Sequence, residues 1–310
     1  MSVETFRFIN RLICLIILVS MFTIAKAQDS QTPSPAPTMD MSSMNATAMP
    51  MADNGDRTIR FAARVGDKDF ACGITYDGLG SDKSSIQVSD FRLYVSNVRF
   101  IDAQKNEVPL QLDQDGLWQY QNVALLDFED GTGPCGDGGN EQLRTTVVGT
   151  VPPGEYSGIV FDLGVPADLD HLDISTANSP LNLDAMWWGW QAGFKFLRVD
   201  LMANGNPYFI HLGSTGCVSA NETTAPEKPC SHSNHVEIRM DGFDPSKNFV
   251  VADLASLVNN ITLSTSDPRP PGCMSGTDDP DCKSLFPNLG LSLDTGGQLE
   301  GNVQQFFRMG

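Results

Sequence analysis

The chain has 310 residues, enough for one or two domains, and its 41% hydrophobic and 19% charged content supplies a buried core, which excludes wholesale disorder. Thirty-eight acidic residues against 20 basic ones give a net charge of −18, and a surface this acidic repels phosphate backbones, which argues against nucleic-acid binding. With 28 Gly and 19 Pro the stretches between helix breakers are short, which argues against a helical bundle.

Residues 1–27 read as a secretory signal. Arg7 and Arg11 form the positive start, Leu12 to Ile24 the apolar segment, and Ala25-Lys26-Ala27 a small-x-small cleavage site. The apolar run is short for a membrane span, so no span is expected after cleavage. Cleavage removes three cations and one acid and takes the net charge to −20. Residues 28–56 follow as a Pro-, Ser- and Met-rich linker without aromatic residues, a composition that cannot repay its ordering entropy. Its methionines, Met39, Met41 and Met44 foremost, are soft thioether donors of the kind that selects copper(I); the plain alternative is a flexible tether.

The domain proper is expected over 57–310. Thr58–Val65 alternates in part and ends at a turn. Phe91–Phe100 places Phe91, Leu93 and Val95 on one face before the phase slips at Asn97, which predicts a β-bulge. Asp113-Gln114-Asp115-Gly116 reads as a hairpin turn before Leu117–Tyr120; it resembles the start of a calcium loop, but the later ligands are missing. Ser157–Leu163, Phe194–Leu201, Pro207–Leu212 and His235–Met240 add strands, and Leu254–Val258 a short helix. Many short strands between turn signals predict an all-β fold, a β-sandwich of antiparallel strands with disulfide-stapled loops. The acidic clusters at 127–131 and 278–281 are expected as solvated loops.

Cys14 leaves with the signal, and six cysteines remain in an exported chain, which implies disulfides. Spacing favours Cys217 with Cys230 and Cys273 with Cys282, each bracketing a polar loop, which leaves Cys72 with Cys135. Zinc is the rival use, but no C-x-x-C occurs.

No nucleophile elbow, zinc-protease helix, phosphate loop or dinucleotide fingerprint is present. The most unusual stretch is Met186-Trp187-Trp188-Gly189-Trp190-Gln191-Ala192-Gly193-Phe194-Lys195-Phe196, which holds three of the four Trp. It reads either as a core aromatic cluster or as a redox or ligand site. His211 interrupts the apolar run Tyr208–Leu212, and His171 lies in the polar connection Leu169–Asp173. Two neutral imidazoles hold copper where a fold brings them together. His232 and His235, three residues apart in a loop near Cys230, form a second candidate pair.

These segments resemble the MbnP-like family, also called the metallo-mystery-pair four-Cys proteins. The matching pieces are Phe70–Gly73, Asp90–Val95, Leu125–Asp130, Leu163–Pro166, the W-x-W-Q-x-G-F-K-F run at 188–196, and His211-Leu212-Gly213. The resemblance implies an exported, non-enzymatic protein, periplasmic or secreted, whose partner is a di-haem protein of the cytochrome c peroxidase type. That partner oxidises a Trp to kynurenine, and copper is held by two His and the kynurenine. Carried over, Trp190 and Trp188 are the kynurenine candidates, Trp187 is the least expected target, and His211 and His171 are the copper ligands. Two other readings compete: a metal-free redox or interaction module of the cell envelope, and an extracellular carbohydrate-active enzyme built on a carboxylate pair.

Overall fold

In the strand Asp56–Val65 every second residue from Ile59 onward is buried, so one face of a pleated strand is committed to a core. The computed structural model describes residues 53–136, 141–264, 271–301 and 304–310. The signal segment 1–27 and Met39, Met41 and Met44 lie outside the described residues.

Among the described residues two large sheets form. In the smaller, Asp56–Val65 pairs antiparallel with Thr146–Thr150 and parallel with Val250–Asp253, which in turn pairs with Phe307–Met309. The larger is organised on one strand of 19 residues, Ser84–Asp102. This strand pairs with Leu197–Ala203, with Tyr156–Leu163 and with Val123–Asp127. Residues 90–96 are buried on both faces: Phe91, Leu93 and Val95 line one, as their alternation predicts, and Asp90, Arg92, Tyr94 and Ser96 are buried on the other. The sheets meet through aromatic side chains: Phe161 of the larger lies edge-on to Phe61 and Phe307 of the smaller, at 5.6 and 5.3 Å between ring centroids. The chain is an all-β sandwich, with parallel pairings at Asp56–Val65/Val250–Asp253 and at Asn206–Leu212/Gly272–Cys273.

The expected bulge is present. Asn97 has φ +50°, and between Val160↔Arg99 and Asp162↔Ser96 the long strand holds one residue more than its partner. The expected hairpin at 113–116 is not. Asp115 Oδ1 does accept from the backbone N–H of Leu117, Trp118 and Gln119. However, Gln111–Leu112 pairs with Thr146–Thr150 in the smaller sheet, whereas Gln119–Tyr120 pairs with Val123–Asp127 in the larger. The turn carries the chain between sheets, a destination that local turn chemistry does not encode. The expected strand Phe194–Leu201 is also divided: Gly193–Phe194 belongs to a separate two-stranded hairpin, and Leu197–Ala203 to the larger sheet. The short helix is Leu254–Leu257, capped by Asp253.

Three disulfides join Cys72 to Cys135, Cys217 to Cys230 and Cys273 to Cys282, the pairings that spacing favours. Such bonds persist outside the reducing cytosol and fit an extracytoplasmic protein. No helix among the described residues is long and apolar enough to cross a membrane.

Candidate metal centre

The tryptophan segment folds into a hairpin of Trp187–Gly189 against Gly193–Phe194. A short helical turn, Asp184–Met186, leads in, and the Lys195 backbone N–H donates to Met186 O at 2.7 Å, closing the base. Phe196 then bonds to both Leu212 and Tyr94, which inserts the chain into the larger sheet. Two glycines make the hairpin fit. Gly193 has φ +75°, and a Cβ there would stand 2.6 Å from Asp170 O. A Cβ on Gly213 would stand 2.5 Å from Trp188 Cζ3, so the indole lies directly on bare backbone. Trp187, Trp188 and Trp190 are all half-buried, and the rings of Trp187 and Trp190 meet edge-on at 5.9 Å. They are thus packed and still reachable from outside.

One imidazole lies beside the Trp188 ring, and a second reaches the backbone carbonyl of Trp190. The His211 ring lies 6.3 Å from Trp188, centroid to centroid, and 5.8 Å from Phe209. Its Nε2 is 2.6 Å from Asp200 Oδ1. Burial works to raise the pKa of Asp200, but the hydrogen bonds from His211 and Arg198 outweigh it, and the carboxyl is held below its ordinary range. His211 is therefore backed by a carboxylate, the arrangement that orients and strengthens metal-ligating histidines.

His171 reaches the hairpin by its backbone: Nδ1 lies 3.2 Å from Trp190 O. A carbonyl only accepts, so Nδ1 carries the proton and the Nε2 lone pair points the other way. Nε2 faces Cys230 Sγ at 3.4 Å and Asp170 Oδ2 at 3.7 Å. His171 Nε2 and the Cys217 and Cys230 sulfurs all lie within 4.8 Å of one another, but sulfurs joined in a disulfide are not thiolate ligands. Burial lowers the His171 pKa, which keeps the ring neutral at pH 7. Burial pushes Asp170 up to about 7, against the opposing bond from Phe194 N–H. His171, Asp170, Ser214, Cys230 and His235 line one cavity of about 330 Å³.

His232 and His235 do not form a pair. His232 Nε2 bonds to Asp294 O and the residue lines a separate cavity with Asp278 and Asp279, whereas His235 Nε2 bonds to Val165 O and its ring packs on Phe196 at 4.5 Å. The reason is local: Asn234 takes φ +52° and turns the chain between them. His235 thus joins the cavity of His171. The acidic cluster at 127–131 departs from the solvated loop expected: Asp127 and Glu129 are fully buried. Asp127 lies opposite Arg92 in the sheet, where a paired cation offsets the cost of burial.

The model of the MbnP family matches residues 54–275. The chain belongs to the MbnP family. Among solved structures it is similar to MbnP from Methylosinus trichosporium, at 32% identity and TM-score 0.74, over 82% of this chain and 98% of that one. A comparison with curated protein sequences gives no match. Within this MbnP-family chain, sequence reasoning left Asp200, Arg198 and Asp170 without roles. The signal was present: Asp-x-Arg at 90–92 and Arg-x-Asp at 198–200 interrupt apolar strands, and although the antiparallel register sets Arg92 opposite Arg198 and Asp90 opposite Asp200, each arginine finds its carboxylate along its own strand and Arg198 also finds Asp90 on the diagonal.

Proposed function

We propose that this is an exported copper-binding protein of the periplasm or the extracellular space, in which Trp188 or Trp190 is oxidised to kynurenine by a di-haem cytochrome c peroxidase-like partner. His211 and His171, with the modified residue, hold the copper. The observation that carries the reading is the hairpin itself: a half-buried tryptophan pair with one imidazole packed beside Trp188 and another bonded to the backbone of Trp190. The donor set fits the metal, because imidazole suits copper and both rings are oriented by hydrogen bonds. Copper supplies a bound, redox-active cation. The chain's own part is to present the indoles at the surface, hold the rings in place and give the partner an acidic face. In this reading the protein is no enzyme.

The packing of His171 favours the second reading, a metal-free redox or interaction module. Both of its ring nitrogens already face partners, Trp190 O and Cys230 Sγ. Copper stoichiometry of protein purified from its native host separates the two. The copper reading expects stoichiometric metal that falls in His211→Ala and in His171→Ala. Kynurenine without stoichiometric copper in the unaltered protein selects the metal-free module, and undiminished copper in both variants overturns the ligand assignment.

A further inference from the structure

Strand register sets a grid of buried charge beside the tryptophan hairpin. Asp127, Arg92, Arg198 and His211 stand opposite one another in one row across four neighbouring strands. Asp90 and Asp200 are opposite each other in the next row, and each is two residues from its arginine, so it shares that arginine's face. Arg92 pairs with Asp90, and both are buried. Arg198 Nε lies 3.2 Å from Asp90 Oδ2. Arg198 also donates to Asp200 Oδ2 through Nε at 2.9 Å and Nη2 at 2.6 Å, and through Nη1 to Ala185 O at 2.9 Å. Ala185 belongs to the turn that opens the tryptophan hairpin.

We propose that Asp200 is the positioning residue of the site: it fixes His211 as the Nε2–H tautomer and so leaves Nδ1 for the metal, while Arg198 ties that setting to the base of the hairpin. The inference rests on His211 being a copper ligand. The donor inventory makes the case. A guanidinium has only donors, so Arg198 requires Asp200 Oδ2 as an acceptor. The ionised carboxylate likewise offers only acceptance at Oδ1, so the neutral imidazole that touches it must donate from Nε2. The same arginine donates to Ala185 O, a carbonyl it shares with Lys195 Nζ at 2.8 Å, so the imidazole is linked to the base of the hairpin through Arg198.

The test is Asp200→Asn, which keeps the volume. Arg198 still demands an acceptor and takes the amide oxygen. The amide NH₂ then turns to Nε2, which must accept, and the proton moves to Nδ1. Such an exchange preserves geometry but presents the wrong tautomer, as the same substitution does in a serine-protease triad. Nitrogen NMR of the His211 ring in metal-free protein, at a pH where the ring is neutral, is expected to show Nε2–H in the unaltered protein and Nδ1–H in the variant. Titration with copper of the same proteins produced in the native host is expected to show affinity lower by about 10–100-fold in the variant. An Nδ1–H ring in the unaltered protein, the same tautomer in both, or a changed tautomer with unchanged copper affinity overturns the proposal. If Asp200→Asn fails to fold, the spectrum of the unaltered protein still decides. His211→Ala is the control: undiminished copper there defeats the ligand assignment, whereas the tautomer result stands apart from it.

Discussion

Two imidazole–carboxyl pairs adjoin the tryptophan hairpin, and they stand in opposite electrostatic settings. At His211 the carboxyl of Asp200 is buried but receives bonds from an arginine and the imidazole, and it is held ionised. At His171 the carboxyl of Asp170 is almost wholly buried, its bonds come from Phe194 N–H and Ser214, and burial raises it to about 7. The first imidazole is braced by charge, the second by a backbone carbonyl and a disulfide. The lesson is that burial alone does not decide protonation; the donors that arrive with it do. It also ranks the two rings, with His211 the better prepared ligand.

That ranking can be broken directly. His211→Ala is expected to lower copper affinity by more than the roughly 10–100-fold that loss of an outer partner brings, and by more than His171→Ala does. Competition with a chelator measures both, and a larger loss at His171 would invert the ranking. Removing the Cys217–Cys230 disulfide, which spans 13 residues, with Ser at both positions is expected to cost about 3 kcal/mol by loop entropy. It should change the His171 environment in NMR spectra and leave that of His211 unmoved; denaturant titration reads the first effect. Gly213→Ala pushes on Trp188 and Gly193→Ala on Asp170. Each is expected to cost about 1–3 kcal/mol, and each should disturb fluorescence or ring shifts mainly at the imidazole nearest to it, His211 for Gly213→Ala and His171 for Gly193→Ala.

The smallest effect is in pH dependence. Asp170 binds a proton in the folded protein up to about pH 7, whereas its ordinary value is 3.8. Its stabilising contribution is therefore complete below about pH 4 and is lost as pH rises through 7. Asp200 is lowered, so its contribution is present above pH 4 and is lost as pH falls further. Asp170→Asn should flatten the decline in stability between about pH 4 and 7. Urea unfolding at the two pH values provides the comparison.

Much of this was legible in the sequence. Period-two burial in Asp56–Val65, the phase slip at Asn97 and the three cysteine pairings follow from local pattern and spacing. The tryptophan run and His211 also announce themselves, because each breaks an expected composition. What stayed hidden depends on partners far along the chain. Whether the turn at 113–116 closes a hairpin is settled by Thr146–Thr150, and the charge grid exists only once register sets Arg92 opposite both Asp127 and Arg198. His235 likewise joins His171 rather than His232 because its neighbour Asn234 turns the backbone.

The central claim, that the hairpin is an oxidised-tryptophan copper site, is tested most directly by the peptide masses of residues 187–196 in protein from the native host. Chymotrypsin is the enzyme to use, because trypsin leaves one long piece ending at Lys195. Conversion of an indole to kynurenine loses a carbon and gains an oxygen, about +4 Da. The account predicts that shift on Trp188 or Trp190. Unshifted masses on both, in protein produced beside its native partner, would contradict it.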